Sequence, residues 1–395
     1  MKKTVRDIDV RGKRVLVRVD YNVPLDENRQ IGDDSRIRAS LPTIRYLVEQ
    51  QAKVILMSHL GRPKGQVKDE LRLDVVGTRL SELLGQKVEV ATDCIGPEVE
   101  RLADALGPGD VLLLENLRFH PEETEGSDEF AQELANMGDV FVNDAFGAAH
   151  RAHASVTGIP KHLPAVAGLL MEQEVEQLGG LLEHPARPFA AILGGAKVSD
   201  KSGVLRTIIG LVDTLLIGGG MAAPFLKASS YEVGQSPADE ESVRIAHDLM
   251  DKAQESGTRV VLPSDVMVAG ELTAHAEPRV VTVDTIAHDQ KIGDIGPETT
   301  QQFKHALGDC KTVFWNGPVG IFELAPFAKG TKAIAEFLAG LDAKTVIGGG
   351  ETAEAVQEYG LIDEMTFVST GGGASLEFLS GEELPGVGAL KEKKA

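Results

Sequence analysis

The sequence has few cysteines and no long apolar run. Cys94 and Cys310 are its two cysteines, and they fall in different halves of the 395-residue chain. Two distant cysteines favour neither a disulfide framework nor a cysteine-based metal cluster. No run of 18 apolar residues occurs, so we expect no membrane-spanning helix. The first residues, MKKTVRDIDVRGKRV, lack the apolar segment of an export signal, which favours a cytoplasmic location.

Positive charge is also scarce. The chain has 40 Lys and Arg against 60 Asp and Glu, a formal net charge of -20. Nonspecific binding of nucleic acid or of an anionic membrane needs a basic face, so we expect neither partner. Small anionic ligands remain compatible with this charge, because salt screens charges that lie more than about 8 Å apart. A local cluster of Arg, His and Lys could therefore still bind phosphate.

The length predicts two domains, since hydrophobic cores divide beyond roughly 250 to 300 residues. Short apolar runs alternate with helical patterns along both halves of the chain. This order is typical of parallel sheets covered by helices on both faces. The predicted fold class is α/β, with two doubly wound, Rossmann-like parallel-sheet lobes. The predicted strands are residues 15–20, 54–58, 88–92, 111–115, 140–143, 190–193, 214–217, 260–263, 313–315, 345–347 and 366–369.

The segment between the two halves, PAVAGLLMEQEVEQLGGLLEHP, predicts an amphipathic helix. Its apolar residues recur at three- and four-residue steps, and its Glu and Gln residues occupy the other face. Such a helix could join two lobes across a cleft and bend at Gly179 and Gly180. Taken alone, the segment fits an ordinary core helix equally well. The predicted division is an N-terminal lobe (1–163), an interdomain helix (164–185), a C-terminal lobe (186–378) and a C-terminal segment (379–395).

Polar and cationic residues follow strand after strand in the first half. Ligands of open α/β sheets bind outside the carboxyl ends of the strands. A single residue of this kind would more simply be a solvated loop residue. Their recurrence predicts a small polyanionic ligand, because the Arg fork matches carboxylate and phosphate. These residues are Asp20, Asn22, Arg36, His59, Arg62, Asn116, Arg118, Asn143, Asp144, His150 and Arg151.

A metal site is the alternative for part of this set. His150 and His153, helped by Asp144, could offer ligands. Arg151 lies between the two histidines, however, and its charge would repel a divalent ion. No further ligand is evident, so an anion site is the better interpretation.

The second half has glycine-rich turns where the first has arginines. They are LGGAKVSDKSG, IGGGMAA, WNGPVGIFE, IGGGETAEAV and STGGGASLEF. Glycine lets backbone N–H groups approach a phosphate, and a helix that starts there adds its positive dipole end. Lys197 and Lys201 flank a predicted helix start capped by Ser199, and at this spacing they repel unless an anion lies between them. One such loop would be only a tight turn, but five predict nucleotide binding.

Two other classes of nucleotide protein fit poorly. No stretch matches GxxxxGK[ST], so the chain is not a P-loop enzyme. GGGMAA and GGGETA fit GxGxxA, but a dinucleotide site needs an acidic residue about 20 positions later. An NAD-dependent dehydrogenase is therefore a weak alternative. A non-catalytic two-lobed anion-binding protein is another, although such proteins commonly carry an export signal and one ligand site.

Seven motifs together resemble the phosphoglycerate kinase family: VRVDYNVP, SHLGRP, ENLRF, AAHRAHAS, LGGAKVSDK, NGPVGIFE and STGGGASLEFL. The resemblance runs from Val15 to the LPGVGAL near the end of the chain. It implies a glycolytic, hinge-bending enzyme that transfers a phosphoryl group in line between 1,3-bisphosphoglycerate and ADP, giving 3-phosphoglycerate and ATP, with Mg²⁺. It also implies that the segment 379–395 returns to the first lobe. We expect a monomer.

The resemblance also implies roles for individual residues. Glycerate-binding residues would be Asp20, Asn22, Arg36, His59, Arg62, Arg118 and Arg151, with His150 extending the patch. Catalytic residues would be Arg36, Lys197, Gly371, Gly372 and Gly373. On the nucleotide side, Lys201 would meet the phosphates and Glu323 the ribose. The other nucleotide-binding positions are Gly218, Gly219, Asn316, Pro318, Gly349, Gly350, Glu351 and Thr352.

One position departs from the family pattern. The family has Asp in GGGD[ST], where this sequence has GGGET, so Glu351 is the expected metal-binding residue. The extra methylene matters because Mg²⁺ demands near-octahedral geometry at about 2.0 to 2.1 Å. We expect altered metal preference or nucleotide affinity, with activity retained.

Overall fold

The computed structural model describes residues 2–393, and the chain divides into two compact units. Unit 1 consists of Met1–Glu176 with Glu383–Ala395, and unit 2 consists of Gln177–Glu382. The last two residues of the predicted C-terminal segment, 394 and 395, lie outside the described residues. Among residues 2–393, no helix is both long enough and apolar enough to cross a membrane.

Unit 1 contains a six-stranded parallel sheet in the order β3-β4-β2-β1-β5-β6. The central strand β1 pairs with β2 on one side and β5 on the other, and Val15 is in register with Val54 and Val140. Strands buried on both faces are typically continuous apolar runs, which explains VLV in β1 and VIL in β2. The strands are β1 Arg14–Arg18, β2 Lys53–Met57, β3 Val88–Val90, β4 Val111–Leu113, β5 Val140–Asn143 and β6 Ala165–Ala167.

The helices of this half start at recognisable sequence signals. Pro97 opens α3, and the Ser127 hydroxyl accepts the Phe130 N–H at the start of α5. The helices are α1 Ser35–Glu49, α2 Asp74–Leu84, α3 Pro97–Asp104, α4 Pro121–Glu125, α5 Asp128–Ala135 and α6 Leu169–Glu183.

Helix α6 is shorter than the helix predicted over 164–185. Residues Ala165–Ala167 instead form the edge strand β6, which pairs with β5 and is buried. The helix begins at Leu169, and the Asp144 carboxylate accepts the N–H groups of Leu170 and Met171 at 2.9 and 3.2 Å. Burial raises the pKa of Asp144 to about 6. A side chain 25 residues upstream thus sets the start of the helix, and the division between the two units falls within it.

Unit 2 contains a second six-stranded parallel sheet, in the order β15-β14-β13-β7-β8-β9. Its core includes Trp315, Phe303 and Ile334, all fully buried. The six strands are β7 Phe189–Leu193, β8 Thr214–Ile217, β9 Arg259–Val261, β13 Thr312–Asn316, β14 Lys344–Gly348 and β15 Phe367–Val368. Between β9 and β13 lie three strands of a separate sheet, β10 Asp265–Ala269, β11 Arg279–Thr282 and β12 Lys291–Ile295.

The remaining helices belong to unit 2, except for the last one. Helix α14 belongs to unit 1, where the Gly386 N–H donates to Ala149 O at 2.7 Å and the Lys391 N–H to Ala165 O at 3.0 Å. The helices are α7 Ser202–Ile209, α8 Ala222–Ala228, α9 Glu240–Ser256, α10 Pro297–Leu307, α11 Lys329–Ala339, α12 Gly350–Glu358, α13 Gly373–Leu379 and α14 Pro385–Gly388.

A small antiparallel sheet in unit 2 was not predicted. Strands β10, β11 and β12 pair in the order β11-β10-β12, with a register shift between Met267 and Val268. Its edge strand β11 is largely exposed, so it shows no clear alternation of apolar and polar residues. A pattern of parallel strands and helices could not reveal it.

Candidate active site

Four neighbouring strands of unit 1, in the order β4-β2-β1-β5, carry the predicted glycerate residues just after their carboxyl ends. Asp20 and Asn22 follow β1, and His59 follows β2. Arg118 follows β4, and Arg151 lies beyond β5. Because parallel strands end at the same edge of the sheet, the fold gathers these residues at one place.

Asp20 and Arg36 form an ion pair there. The Asn22 side-chain carbonyl accepts the Gly61 N–H at 2.8 Å, and the Asn22 N–H donates to the Asp20 carboxylate at 3.1 Å. Burial opposes ionisation of Asp20, but the charges of Arg36 and Arg18 outweigh it and lower its pKa. Asp20 is therefore an anion that orients Arg36 at the strand end.

Arg118 and Arg151 add positive charge that the protein leaves largely uncompensated. Arg118 is 7% exposed, and one of its terminal nitrogens donates to Gly61 O at 2.8 Å. Its Nε is buried and has no hydrogen-bond partner within residues 2–393. Burial, together with Arg151 and Arg18, lowers the pKa of Arg118 to about 10. Three guanidinium groups that destabilise one another in this way favour an anionic ligand.

Arg18 belongs to this cluster but was not predicted from the sequence. It is fully buried at the end of β1 and donates to Ser155 Oγ at 2.9 Å, to His59 Nδ1 at 3.0 Å and to Val19 O. Ser155 in turn donates to the buried Glu123 carboxylate at 2.6 Å. An Arg inside the apolar run VLVRV was the available signal, since an Arg in a central strand needs a buried partner.

The contact with Arg18 fixes the proton of His59. A guanidinium group has only donors, so His59 Nδ1 must accept, and the neutral ring carries its proton on Nε2. Burial and then the charge of Arg18 lower the pKa of His59 well below its ordinary value. His59 is thus a neutral donor in the cation cluster.

We expect His59 to stay neutral, as the Nε2–H tautomer, between about pH 5 and 8, the range in which histidine normally titrates. Nitrogen chemical shifts of the assigned ring would show this directly. Because the unfolded chain takes up this proton and the native protein does not, His59 makes the free energy of unfolding fall as the pH drops below 6.5. An imidazolium spectrum near pH 6 would contradict the assignment.

Not all of the predicted residues meet. Arg62 is exposed, and in the described part of the chain it makes no hydrogen bond or ion pair. The His150 ring accepts from Arg151 Nε at 3.1 Å, whereas His153 lies 3.9 Å from Glu123. Burial and then Arg118 lower the pKa of His153 to about 4, because the surroundings are already positive. With Asp144 at the start of α6, the metal alternative has no support here.

The glycine-rich loops of unit 2 contact one another through their backbones. The Gly195 N–H donates to Pro318 O at 2.9 Å, and the Gly219 N–H to Val319 O at 2.9 Å. Gly219 has φ of +62°, and a Cβ there would lie 2.6 Å from Pro318 O. Pro318 is buried, while the Gly218 N–H donates to Leu193 O. These glycines allow close packing of loops, and some of their N–H groups are already used for it.

Lys201 lies at the centre of these loops. Its Nζ donates to Gly194 O at 2.7 Å and to Asn316 O at 3.3 Å, which follow β7 and end β13. Burial lowers its pKa to about 8, although Glu351 and Asp200 oppose the shift. Lys197 is exposed.

The prediction that Ser199 caps this helix is wrong. A 3-10 turn covers Ser199–Lys201, the Ser199 hydroxyl donates to the Asp200 carboxylate, and α7 begins at Ser202. Lys201 itself occupies the position before α7, because its side chain turns inward to the carbonyls. The two lysines therefore do not share one exposed helix face.

The loop after β14 brings Glu351 to the same place. A Cβ on Gly195 would lie 3.0 Å from Lys201 Nζ and 3.8 Å from Glu351 Oε2, so both side chains reach that point. Glu351 is exposed, in the first turn of α12. The neighbouring Thr352 is buried and accepts the Gly317 N–H at 2.6 Å.

Asn316 has an unsatisfied acceptor beside this loop. Its Oδ1 is buried and has no partner among the described residues. Gly349 has φ of +87°, and a Cβ there would lie 2.7 Å from Asn316 Nδ2, whereas Gly350 faces open space. The Asn316 amide can therefore lie this close to the backbone only because residue 349 is a glycine.

The remaining predicted positions are more open. The Gly371 N–H already donates to Ser369 Oγ at 3.2 Å, so it is less available to a phosphate than the prediction for Gly371, Gly372 and Gly373 assumes. A Cβ on Gly372 or Gly373 would meet nothing within 4 Å, and α13 begins at Gly373. Glu323 is exposed.

Asp294 on β12 supports the loop that follows Asn316 and carries Glu323. Its carboxylate accepts the N–H groups of Ile295 and Gly330 at 2.8 and 2.7 Å, at the start of α11. A Cβ on Gly320 would lie 2.1 Å from Asp294 Oδ1, so the loop packs directly on it. Burial raises the pKa of Asp294 to about 7. Sequence reasoning missed this residue because it missed the antiparallel sheet.

Together the two sheets define a two-domain α/β protein that has cations at the strand ends of one domain and glycine-rich loops at those of the other. The family model for phosphoglycerate kinase matches residues 5–382. Phosphoglycerate kinases of Moorella thermoacetica and Pelotomaculum thermopropionicum are 54% and 55% identical over 392 residues, which cover 99% of this chain and 100% of each relative.

Solved structures agree with this assignment. Phosphoglycerate kinase from Coxiella burnetii has a TM-score of 0.89 at 39% identity, with 98% of each chain covered. The enzyme from Pyrococcus horikoshii OT3 has a TM-score of 0.84 at 33% identity, covering 99% of this chain and 98% of the other. The chain belongs to the phosphoglycerate kinase family. It is a glycolytic kinase with small-molecule substrates and a nucleotide co-substrate, which confirms the predicted fold class and function and sets the dehydrogenase and the non-catalytic binder aside.

Proposed function

We propose that this enzyme moves a phosphoryl group reversibly and in line between 1,3-bisphosphoglycerate and ADP, giving 3-phosphoglycerate and ATP. The observation that carries the proposal is the cluster of Arg18, Arg118 and Arg151 at the strand ends, with Arg36 paired to Asp20. Burial and then the charges of Arg151 and Arg18 lower the pKa of Arg118. We further propose that it acts in the cytoplasm as a monomer and binds no nucleic acid, consistent with its net charge of -20.

The glycerate would bind in unit 1. 3-Phosphoglycerate carries a carboxylate and a phosphate, and each matches the planar fork of an arginine. Arg118 has a buried Nε without a protein acceptor, and the neutral His59 has an Nε2–H to donate. Asp20 holds Arg36 in place for the same ligand. We assign Asn22, Arg62 and His150 to the rim of this site.

The nucleotide would bind in unit 2. Lys201 and the exposed Lys197 would meet its phosphates, and Glu323 its ribose. The packed loops at Gly218, Gly219 and Pro318 would border the adenine. Asn316, Gly349, Gly350 and Thr352 would shape the phosphate end, where a side chain at Gly349 would collide with Asn316.

The residues near Lys201 fit a bound Mg²⁺. Protein sites commonly hold Mg²⁺ by one or two carboxylates together with substrate phosphates, and Glu351 offers one carboxylate beside Lys201. The bound ion would supply positive charge to the nucleotide phosphates. Asp93, Cys94 and His120 form the only group of three or more candidate ligand side chains found among residues 2–393, and they belong to unit 1.

Such a transfer needs neither a covalent enzyme intermediate nor an activated nucleophile. The protein contributes position and positive charge to the three equatorial oxygens of the moving group. Arg36, Lys197 and the N–H groups of Gly372 and Gly373 are our candidates, with Gly371 supporting the turn. Because the glycerate residues belong to unit 1 and the nucleotide residues to unit 2, the proposal requires hinge closure during turnover, which would also exclude water.

The test is ATP-dependent phosphorylation of 3-phosphoglycerate, coupled to reduction of the bisphosphate product, first with Mg²⁺ and then with Mn²⁺. Turnover would support the proposal. A folded protein that binds ATP and turns over with neither metal would contradict it.

Replacing Arg151 with alanine should weaken glycerate binding by about 1.5 to 3 kcal/mol, the contribution of a hydrogen bond to a charged group. The affinity for ADP should not change, because Arg151 belongs to unit 1. Calorimetric titration with each ligand measures both. The exposed Arg38 on α1, which pairs with Asp34, is a matched control. Unchanged glycerate affinity would remove Arg151 from the site.

Replacing Glu351 with aspartate should change the metal preference. The shorter side chain moves the carboxylate back by one methylene, and we expect the Mg²⁺ to Mn²⁺ activity ratio to shift by on the order of tenfold, about 1.4 kcal/mol. Glu354→Asp, an exposed position three residues along α12, is the control. Equal ratios in all three proteins would mean that Glu351 does not meet the metal.

A further inference from the structure

A group of candidate metal ligands lies beside β3 and β4, at one side of the unit 1 sheet. Asp93 and Cys94 come shortly after β3, and His120 lies in the segment between β4 and α4. Strands β3 and β4 are neighbours, and the Glu115 N–H donates to Asp93 O at 3.2 Å. The sheet therefore brings His120 next to the adjacent pair Asp93 and Cys94, which lies more than 25 residues earlier in the chain.

The ligand atoms of the three side chains lie close together. A carboxylate oxygen of Asp93, the Cys94 sulfur and a ring nitrogen of His120 all lie within 4.8 Å of one another. His120 Nε2 is 2.7 Å from Asp93 Oδ1. Cys94 is fully buried, whereas the Asp93 and His120 side chains are 50% and 26% exposed. Two of the three candidate ligand residues are therefore accessible to an ion in solution.

We propose that Asp93, Cys94 and His120 form a binding site for a zinc-class divalent cation, separate from the nucleotide metal. Thiolate, imidazole and carboxylate are the three ligand types of tetrahedral zinc sites, and a set of three leaves the fourth position for water. Hard Mg²⁺ prefers oxygen ligands only, so the two sites select different ions.

The distances suit such an ion after a small adjustment. Ligands held tetrahedrally at about 2.0 to 2.3 Å from zinc lie roughly 3.3 to 3.6 Å from one another. His120 Nε2 and Asp93 Oδ1 are 2.7 Å apart, and all three ligand atoms lie within 4.8 Å of one another. The ion would replace the hydrogen bond between His120 and Asp93, and that pair would open by about 0.6 Å. The Cys94 thiol releases its proton to solvent as the sulfur binds. His120 Nε2 gives up to solvent the proton it shares with Asp93, and Nδ1 carries the proton of the neutral, metal-bound ring.

The site has a path to the glycerate residues. His120 comes two residues after Arg118 and immediately before α4, which carries Glu123. Glu123 accepts from Ser155, which accepts from Arg18. A bound ion would therefore restrain the segment that carries Arg118. It would also restrain Glu123, which is linked through Ser155 to Arg18.

Titration of the purified protein with Co²⁺, in the absence of nucleotide, tests the proposal. Cobalt bound to a thiolate gives a charge-transfer absorption that Mg²⁺-type oxygen sites lack. We expect this band in the wild type, and we expect Zn²⁺ to displace the cobalt and to raise the midpoint of thermal unfolding.

Cys94→Ser should abolish the band and weaken Zn²⁺ binding by more than about 100-fold, beyond the 10- to 100-fold typical of residues that only orient ligands. His120→Asn should also weaken Zn²⁺ binding, from a different loop, so a folding defect in one variant does not decide the test. Cys310→Ser is the matched control, because Cys310 is the other buried free cysteine and lies in unit 2.

Absence of the band in the wild type at millimolar Co²⁺ would overturn the proposal. So would a band that Cys310→Ser removes and Cys94→Ser keeps. In either case the cluster would serve only to join two loops through the hydrogen bond between His120 and Asp93.

Discussion

Replacing Lys197 with alanine is expected to lower turnover by about 10² to 10³-fold while changing the affinity for ADP far less. Removing one preorganised group that stabilises charge in the transition state has an effect of this size. An interaction made equally with bound nucleotide would instead change affinity and turnover together. Single-turnover rates and calorimetric ADP titration separate the two quantities.

Lys197 is well suited to this test, because its replacement should not disturb the fold. It is exposed, and in the part of the chain that the structure describes it makes no hydrogen bond or ion pair, so its removal should leave the stability unchanged. Lys201 is a poor substitute, because its Nζ donates to Gly194 O and Asn316 O and its loss would disturb two loops.

Lys332→Ala is a suitable control, since Lys332 is 57% exposed in unit 2 and lies 3.9 Å from Glu336. It should leave both turnover and affinity unchanged. An equal loss of affinity and turnover in Lys197→Ala would assign Lys197 to nucleotide binding alone.

The two lysines show how far the sequence could go. Their place after a buried strand was enough to predict an anion site, because ligands of α/β sheets bind at strand ends. Their different environments could not be predicted, since Lys201 meets the carbonyl of a residue 115 positions away. That contact depends on the pairing of β7 with β13, which no local pattern contains.

The start of α6 and the antiparallel sheet were missed for a similar reason. The apolar residues of Ala165–Ala167 fit a helix as well as a strand, and pairing with β5 decides between them. Asp144 then fixes where the helix begins, from another part of the chain. Patterns of apolar residues predict that an element exists more reliably than where it starts.

Arg18 shows the limit most clearly within the site itself. Its neighbours Asp20 and Asn22 were identified by their positions after the strand, whereas Arg18 lies inside the strand and was counted with the sheet. Its partners, Ser155 and Glu123, are more than 100 residues away. Only the fold shows that the buried Arg18 contacts a predicted glycerate residue, His59.

Arg18→Met is accordingly expected to lower the free energy of unfolding by about 3 to 5 kcal/mol, the effect of breaking a buried charge network by removing one partner. It should also weaken glycerate binding, because His59 Nδ1 loses the donor that fixes its tautomer. Arg14→Met is the matched control on the same strand. Arg14 makes exposed ion pairs with Asp104 and Asp139, which contribute about 0 to 1 kcal/mol.

Glu123→Gln should also destabilise the protein, and the double variant with Arg18→Met should lose less stability than the two single variants added together. Such non-additivity is expected because Arg18 and Glu123 share Ser155 as a partner. Additive effects would mean that the two charges act independently.

The choice of probe gives a further check on where these variants act. Trp315 is the chain's one tryptophan and is buried in unit 2, so its fluorescence follows the unfolding of that unit. Circular dichroism follows both units. If the network stabilises unit 1, Arg18→Met should shift the circular dichroism transition to lower denaturant more than it shifts the Trp315 transition, because multidomain proteins need not unfold in one step. Equal shifts would show that the two units unfold together and that Arg18 stabilises the whole chain.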